Sequence, residues 1–376
     1  MLLWQGAIVF GVAFLVTYLM VPVSKWLSVK MGAIDYPGMR RVNETIVPRA
    51  GGIALYVGFL AGCAALAMGV KVFHWQPAQF FYLNDVNVGL LLFGITCMFL
   101  VGLVDDVSPL APRSKLAGQF LAAALIYGAG VSIAEVRGIF TGDLLPLEWL
   151  DMPLTILYIL IFVNVVNLID GLDGLAAGLV AIMACSLMFL VIRRDNYVLA
   201  LLCVAVVACC VAFLIFNFNP ASIFMGDSGS HLLGTLLACV SIMGVVRTQS
   251  LAVSLVPLVI AGVPVMDTAT AVIRRIREGK PIDEADKEHV HHRLLDAGFG
   301  QRRAVLTLYA LSAVFAIVGY SMNVFSGPTR WALMIVFAFI IFVVVARLHL
   351  LDPVLLHHYR RQEKSEPRRR TTKKLY

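Results

Sequence analysis

The chain has 376 residues, of which 60% are hydrophobic and only 14% are charged, with a net charge of +7 and a mean hydropathy of +0.86. Soluble globular domains carry about 25% charged residues, so the composition excludes one and indicates a membrane protein. No nucleic-acid partner is expected, because the basic excess lies in loops and a terminal run and no other feature supports such a role.

Eleven apolar stretches are candidates to cross a bilayer as helices, which takes about 20 residues each. They lie at residues 6–29, 50–70, 88–104, 115–131, 153–168, 174–192, 197–216, 228–246, 251–273, 304–322 and 331–349. Because no alternating barrel pattern occurs, the predicted fold class is all-α, a polytopic membrane protein of about eleven transmembrane helices. We expect the first stretch to be retained, since it has neither a basic n-region nor a cleavage site.

Lysine and arginine fix the predicted orientation. With eleven spans, 24 of these residues fall on one side of the membrane and 6 on the other. The positive-inside rule then places the N-terminus outside and the C-terminus in the cytoplasm. Residues 1–350 are predicted to form a single catalytic membrane domain, and residues 351–376 a disordered basic tail. All seven cysteines fall in predicted spans without a CxxC pair, which favours apolar packing over metal binding or disulfides.

The first polar motif in chain order is VPRAGG, where Arg49 precedes a span. Its two glycines would let a ligand approach, although a positive-inside arginine needs no ligand. The second is LVDDVSPLAPRSK, with Asp105 and Asp106 at the end of a span and Lys115 after it. Acidic groups at membrane depth are costly and usually functional, the alternative being a solvated helix end. Adjacent carboxylates also repel, which suits a general base or a metal-proximal site.

The third motif, NVVNLIDGLDG, repeats Asn164, Asn167, Asp170 and Asp173 every three residues. The repeat drifts around a helix by about 60° per step, so the glycines at positions 171 and 174 are expected to end the helix and let the backbone turn. Four oxygen-bearing side chains would then converge at a membrane boundary. Capping and polar contacts between helices are the structural alternative.

The fourth motif, NFNPASIFMGDSGS, is broken by Pro220 and Gly226 before the next predicted span. Asp227 or Ser228 is expected to cap that helix. Alternatively, Asp227 is a hard oxygen ligand of the kind that suits Mg²⁺ or Mn²⁺. Phe224 could stack on a base.

The last motif is HVHHRLLDAGFGQRR in the loop after the ninth predicted span. Zinc would need four ligands at spacings that this loop lacks. Histidines beside an arginine at a membrane surface instead suit a pyrophosphate, unless the loop is merely solvated. The candidates are His289, His291, His292 and Arg293. Asp267, inside that span, is either a buried polar contact or a residue of the site wall, and the structural role is favoured.

Taken together and in this order, PRAGG, VDD, NLIDGLDG, FMGDSGS and HVHHRLL resemble the polyprenyl-phosphate N-acetylhexosamine-1-phosphate transferase superfamily over nearly the whole chain. The histidine motif resembles the branch that uses UDP-N-acetylglucosamine and undecaprenyl phosphate to begin cell-envelope glycans. The muramoyl-pentapeptide branch usually has an HHHFE-like loop at this place.

The resemblance implies a role for each matching residue. Asp105 and Asp106 match paired aspartates that handle the lipid phosphate or its proton, and Asp170 matches a position of disputed catalytic role. Lys115 matches a phosphate contact, and Asn167 and Asp227 match ligands of Mg²⁺. The remaining matches are substrate contacts: Gly171, Asp173 and Phe224 at the uridine, and His291, His292 and Arg293 at the pyrophosphate and sugar. Asn164, His289 and Arg49 are included among the substrate-binding candidates.

The expected reaction is transfer of N-acetylglucosamine 1-phosphate from UDP-N-acetylglucosamine to undecaprenyl phosphate at the cytoplasmic face of a bacterial inner membrane. The protein is expected to be surrounded by membrane lipid, and a homodimer is one candidate for its oligomeric state. Phospho-N-acetylmuramoyl-pentapeptide transfer, or another UDP-sugar specificity, is the alternative within the class. An ion-coupled transporter is the alternative from another class, because intramembrane acids also mark transport pathways.

Overall fold

The computed structural model describes residues 2–35, 46–75, 86–137, 144–246, 256–278, 290–325 and 327–347. Helices dominate these ranges. They are α1 (Leu2–Met31), α2 (Gly52–Lys71), α3 (Val88–Val107), α4 (Pro112–Gly128), α5 (Asp151–Leu168), α6 (Leu175–Ile192), α7 (Tyr197–Asn217), α8 (Gly226–Ser241), α9 (Val256–Ile260), α10 (Gly262–Glu278), α11 (Val290–Asp296), α12 (Gln301–Val324) and α13 (Pro328–Arg347). A 3₁₀ turn, Glu148–Leu150, precedes α5, and a π-helical turn, Ile242–Val246, continues α8.

Two small antiparallel ribbons accompany the helices. β1 (Ile34–Asp35) pairs with β2 (Val47–Pro48), so that Ile34 lies opposite Pro48. β3 (Glu135–Arg137) pairs with β4 (Leu144–Pro146) between α4 and α5. The first ribbon directly precedes α2 and therefore sets the path of the chain into the site described below.

Among the described residues, nine helices are long and apolar enough to cross a membrane: α1, α2, α3, α5, α6, α7, α8 with its π-helical turn, α12 and α13. The predicted all-α polytopic membrane fold is confirmed. The predicted span 115–131 corresponds to α4, which has 17 residues, and the predicted span 251–273 overlaps α9 and α10. The count of eleven spans and the orientation of the termini remain predictions, and the basic tail lies outside the described residues.

Helix α8 lies at the centre of the bundle. It packs against α2, α3 and α5, and 94% of the residues in the most apolar part of its span are buried within the protein. By contrast, no residue in the most apolar part of α13 is buried. All seven cysteines are unpaired, and four of them are fully buried among apolar side chains, in agreement with a packing role.

Local capping sets several helix boundaries. Asn87 and Asn196 begin α3 and α7, where each side-chain oxygen accepts a hydrogen bond from the backbone N–H three residues on. Helix α5 ends at Leu168, and Gly174 adopts a left-handed conformation with φ of +79° directly before α6. A side chain is strained at such a φ, so this glycine permits the sharp return between the two helices. The predicted backbone turn is therefore confirmed at Gly174. The prediction that both glycines end the helix is wrong, because α5 stops three residues before Gly171, which has no positive φ.

Candidate active site

The polar motifs meet at one end of the bundle. Successive spans run in opposite directions, so the ends of α3 and α5 lie beside the starts of α2, α4, α6 and α8. Five motif side chains form direct ion pairs there, and we call them the ionic cluster: Arg49, Asp105, Asp106, Lys115 and Asp227. Residues more than 170 positions apart in the chain are therefore neighbours.

Asp227 is the shared partner in the ionic cluster. Arg49 places Nη2 3.1 Å from Asp227 Oδ1 and Nε 3.3 Å from Asp106 Oδ1. Lys115 Nζ contacts Asp227 Oδ2 and lies 3.4 Å from Asp105 Oδ2. Burial disfavours the charge on Arg49, but the attraction of Asp106 and Asp227 outweighs it, so the pKa of the guanidinium is raised. The cluster therefore contains three carboxylates and two cations.

Asp106 caps α8 from a different helix. Its Oδ1 accepts a hydrogen bond from Asp227 N at 2.7 Å, and its Oδ2 accepts bonds from Ser228 N at 3.0 Å and Ser228 Oγ at 2.6 Å. The prediction that Asp227 or Ser228 caps this helix is wrong, because both residues lie inside its first turn. An acidic group at this end is also favoured by the helix dipole.

Asp105 has a different environment from its neighbour. Its Oδ1 accepts a hydrogen bond from Leu110 N at 2.7 Å, which closes the connection to α4, and its Oδ2 faces Lys115. The Asp105 side chain is 12% exposed, whereas that of Asp106 is fully buried. Of the pair, Asp105 is therefore the carboxylate more accessible to a ligand.

Backbone hydrogen bonds hold the Arg49 segment against the start of α8. Phe224 N donates to Pro48 O at 2.8 Å, and Gly51 N donates to Phe224 O at 3.0 Å. The glycines at positions 51 and 52 could have admitted a ligand, but a structural explanation of the motif was favoured. The structure uses them for close packing, because a Cβ on Gly51 would meet the Phe224 carbonyl, and one on Gly52 would meet the first turn of α8. The half-buried Phe224 is thus fixed through its backbone.

Two asparagines of the repeated motif point into the bundle from α5. Asn164 exchanges hydrogen bonds with Gln119 on α4, and Asn167 Nδ2 donates to Ser230 Oγ on α8 at 3.0 Å. Because the Asn167 amide nitrogen is engaged, its carbonyl oxygen remains for another partner.

The turn after α5 carries Asp170 and Gly171. Burial is the largest of the causes that raise the pKa of Asp170 to about 7. Asp227 and Asp106 act in the same direction, and Arg49 opposes them. Asp170 therefore lies within electrostatic range of the ionic cluster, and its proton is exchangeable near neutral pH. Gly171 is exposed beside it.

Asp173 is held by the connection between α7 and α8. Its Oδ2 accepts hydrogen bonds from Asn219 Nδ2 at 2.9 Å and from Ala221 N at 3.0 Å. Asn219 also donates to Gln301 Oε1 at 2.6 Å, so the start of α12 joins the same group. The carboxylate is consequently fixed in orientation at the rim of the site.

The histidine motif is only partly described. His289 lies outside the described residues, and the side chains of His291 and His292, which belong to α11, lie outside them as well. Arg293 on the same helix is partly buried. Asp267 on α10 accepts a hydrogen bond from Val290 N at 2.8 Å, which is the structural contact predicted for it.

Sequence reasoning overlooked several buried polar residues beneath the ionic cluster. Gln119 and His231 are fully buried, and their Nε2 atoms lie 3.0 Å apart. Gln119 follows Lys115 by four residues and His231 follows Asp227 by four, which places each pair on one helix face. That spacing is the signal that could have revealed them.

The site has donors that suit a hard divalent cation. Within the described ranges, no group of three or more histidine, cysteine, aspartate or glutamate side chains could hold a metal. Mg²⁺, however, commonly takes one or two protein oxygens and completes its shell with water and substrate phosphates. The Asn167 carbonyl is available for this role. The Asp227 carboxylate pairs with Arg49 and Lys115, and it would become a second oxygen ligand if those cations turned to phosphate.

Comparison with known proteins identifies relatives of the whole chain. Residues 88–245 match glycosyl transferase family 4. The chain is 34% identical over 336 residues to the Bacillus subtilis protein named "Probable undecaprenyl-phosphate N-acetylglucosaminyl 1-phosphate transferase", with 89% of each chain covered. It is 32% identical to decaprenyl-phosphate N-acetylglucosaminephosphotransferase of Mycolicibacterium smegmatis, over 90% of this chain and 87% of the relative. Phospho-N-acetylmuramoyl-pentapeptide-transferase of Bacillus cytotoxicus is 30% identical, over 86% and 99% respectively.

A charged, oxygen-rich site at one end of a membrane helix bundle, together with these relatives, defines a multi-pass membrane phosphotransferase. The chain belongs to glycosyl transferase family 4 and to the polyprenyl-phosphate N-acetylhexosamine-1-phosphate transferase superfamily within it. The resemblance to the N-acetylglucosamine branch, stated from the motifs, is confirmed.

Proposed function

We propose that this protein transfers N-acetylglucosamine 1-phosphate from UDP-N-acetylglucosamine to undecaprenyl phosphate, giving undecaprenyl-diphosphate-N-acetylglucosamine and UMP. The observation that carries the proposal is the ionic cluster at one end of the bundle, where a water-soluble donor and a lipid acceptor can meet. The relatives named for N-acetylglucosamine transfer support the choice of sugar. We place the site at the cytoplasmic face of a bacterial inner membrane, because the positive-inside rule predicts it.

In the proposed reaction, an oxygen of the lipid phosphate attacks the β-phosphorus of the nucleotide sugar in line with the bond to the α-phosphate. That bond breaks, its electrons pass to the departing UMP, and a new pyrophosphate forms on the lipid. Lys115 and Arg49 would neutralise the incoming phosphates by exchanging carboxylate partners for phosphate oxygens. Asn167 and Asp227 would hold Mg²⁺, or Mn²⁺, which when bound supplies charge neutralisation at the pyrophosphate.

Little proton transfer is required, since a lipid phosphate is already largely anionic at neutral pH. Asp105, the more exposed carboxylate of its pair, would orient the lipid phosphate together with Lys115 and accept its residual proton. Asp106 would act through the first turn of α8, and Asp170 could exchange a proton near neutral pH. Asp173 and Phe224 would contact the uridine, with Gly171 giving access to it. The histidine motif would contact the pyrophosphate and sugar.

A two-step route through a phospho-aspartate is the competing mechanism. It predicts that radiolabelled phosphate becomes covalently attached to the protein when the nucleotide sugar is supplied without lipid acceptor. Direct attack predicts no protein-bound label under the same conditions. The labelled β-phosphate should then pass to the lipid, and only when the lipid phosphate is supplied.

The defining experiment combines purified protein, undecaprenyl phosphate and a panel of UDP sugars, with and without Mg²⁺, and measures UMP release and the mass of the lipid product. We expect release with UDP-N-acetylglucosamine and not with the muramoyl-pentapeptide nucleotide. The opposite preference would assign the muramoyl branch. No UMP from any donor, together with ion uptake by proteoliposomes, would favour the transporter alternative. Asp227→Ala should abolish metal-dependent release.

A further inference from the structure

The buried polar residues beneath the ionic cluster form a network whose donors and acceptors can be assigned. The carbonyl of Leu160 can only accept, so the Asn164 atom 2.8 Å from it is the amide nitrogen. That nitrogen also donates to Gln119 Oε1 at 3.0 Å, which directs Gln119 Nε2 towards Asn164 Oδ1 and His231. Because an amide nitrogen only donates, His231 Nε2 must accept, and the ring is neutral with its proton on Nδ1.

The network joins the helices that carry the two candidate metal ligands. Gln119 on α4 connects α5 through Asn164 and α8 through His231. One turn closer to the site, Asn167 on α5 donates to Ser230 on α8. The hydrogen bonds therefore close a ring through three helices.

We propose that Gln119 and His231 are positioning residues that set the separation of Asn167 and Asp227 and so determine metal affinity. The inference rests on the proposed function only in taking these two residues as metal ligands. Asn164, which was predicted to bind substrate, becomes a member of the network on this view. Removal of a partner that orients a metal ligand commonly lowers the metal affinity 10- to 100-fold.

The test compares four variants by Mn²⁺ titration, monitored by the electron paramagnetic resonance signal of free Mn²⁺, and by the metal dependence of UMP release. Gln119→Leu and His231→Leu remove the bridge. His231→Gln retains an acceptor near the position of Nε2. Tyr158→Phe is the matched control, because it removes another buried α5–α8 hydrogen bond, the 3.0 Å contact with Ser241.

We expect both leucine variants to raise the Mn²⁺ dissociation constant and the activating metal concentration about 10-fold or more. At saturating metal, the KM for the nucleotide sugar should change less than about 2-fold. His231→Gln should recover affinity to within about 3-fold of wild type, and Tyr158→Phe should match wild type. Unchanged metal affinity in folded leucine variants, an equal loss in Tyr158→Phe, or no Mn²⁺ binding to wild type would overturn the proposal.

The same experiment separates this inference from the proposed function. If wild type binds Mn²⁺ but releases no UMP from any donor, the proposed reaction fails while the metal titration still tests the network. If a leucine variant does not fold, Gln119→Met, which keeps the side-chain length without the hydrogen-bonding amide, supplies the comparison. A loss of Mn²⁺ affinity of about 10-fold in that folded variant would support the proposal, and an affinity equal to wild type would overturn it.

Discussion

The two adjacent aspartates at the end of α3 should respond very differently to truncation. Asp106→Ala removes three hydrogen bonds at the start of α8 and the ion pair with Arg49, and the lost carboxylate is fully buried. Asp105→Ala removes one backbone hydrogen bond and the 3.4 Å contact with Lys115, and the lost carboxylate is partly exposed. Breaking a buried pair costs about 3–5 kcal/mol, whereas a single cap-like hydrogen bond is worth about 1 kcal/mol.

Thermal unfolding in detergent, monitored with a thiol-reactive dye, measures this difference because four cysteines are fully buried in the folded protein. We expect Asp106→Ala to lower the Tm by roughly 5 °C or more and Asp105→Ala by about 1–2 °C. The change in Tm per kcal/mol is about 2–4 °C for domains smaller than this protein, and it decreases as the protein becomes larger. UMP release should nevertheless fall in both. Equal Tm values for the two variants, or a larger loss in Asp105→Ala, would refute the division into a capping and an accessible carboxylate.

Variants at three further places test other parts of the protein. Burial and neighbouring carboxylates hold the pKa of Asp170 at about 7, above the ordinary value of about 4, so its neutral form stabilises the fold at low pH and that contribution is lost as pH rises through 7. Asp170→Asn should therefore lose less Tm than wild type between pH 5 and 8.5, and parallel curves would contradict this. Asn219→Ala should raise the KM for the nucleotide sugar several-fold with little change in kcat, because Asp173 loses a fixed partner; an unchanged KM would separate Asp173 from donor binding. A Cβ on Gly178 would overlap the Tyr309 ring, so Gly178→Ala should lower the Tm by several degrees. Adding Tyr309→Leu to this variant should recover part of the loss. A normal Tm in the single variant would show that the ring moves freely.

Local features of the sequence predicted much of the architecture. Apolar length located the helices, and the glycine at position 174 marked the turn between α5 and α6. The positive-inside count also predicted that distant motifs share one face, and the structure brings Arg49, Asp106 and Asp227 together at one end of the bundle. Whether that end faces the cytoplasm remains a prediction.

Other features depend on tertiary contacts that no local pattern encodes. The cap of α8 comes from Asp106, which is 121 residues earlier in the chain, so reasoning from neighbouring residues assigned it to Asp227 or Ser228. Gln119 and His231 lie in apolar stretches and read as isolated polar residues until α4 and α8 are packed together. The roles of the individual site residues in binding substrate and metal stay predictions.

The contrast between α8 and α13 bears on how the protein responds to its bilayer. Protein surrounds α8 on every side, so its length and tilt are fixed by neighbouring helices. Helix α13 has no fully buried residue, and its outer face is expected to meet lipid. A thinner or thicker membrane can be accommodated by tilting an exposed helix at modest cost. Hydrophobic mismatch should therefore be absorbed at the periphery, where α13 lies, while the helix that carries Asp227 keeps its place across membranes of different lipid composition.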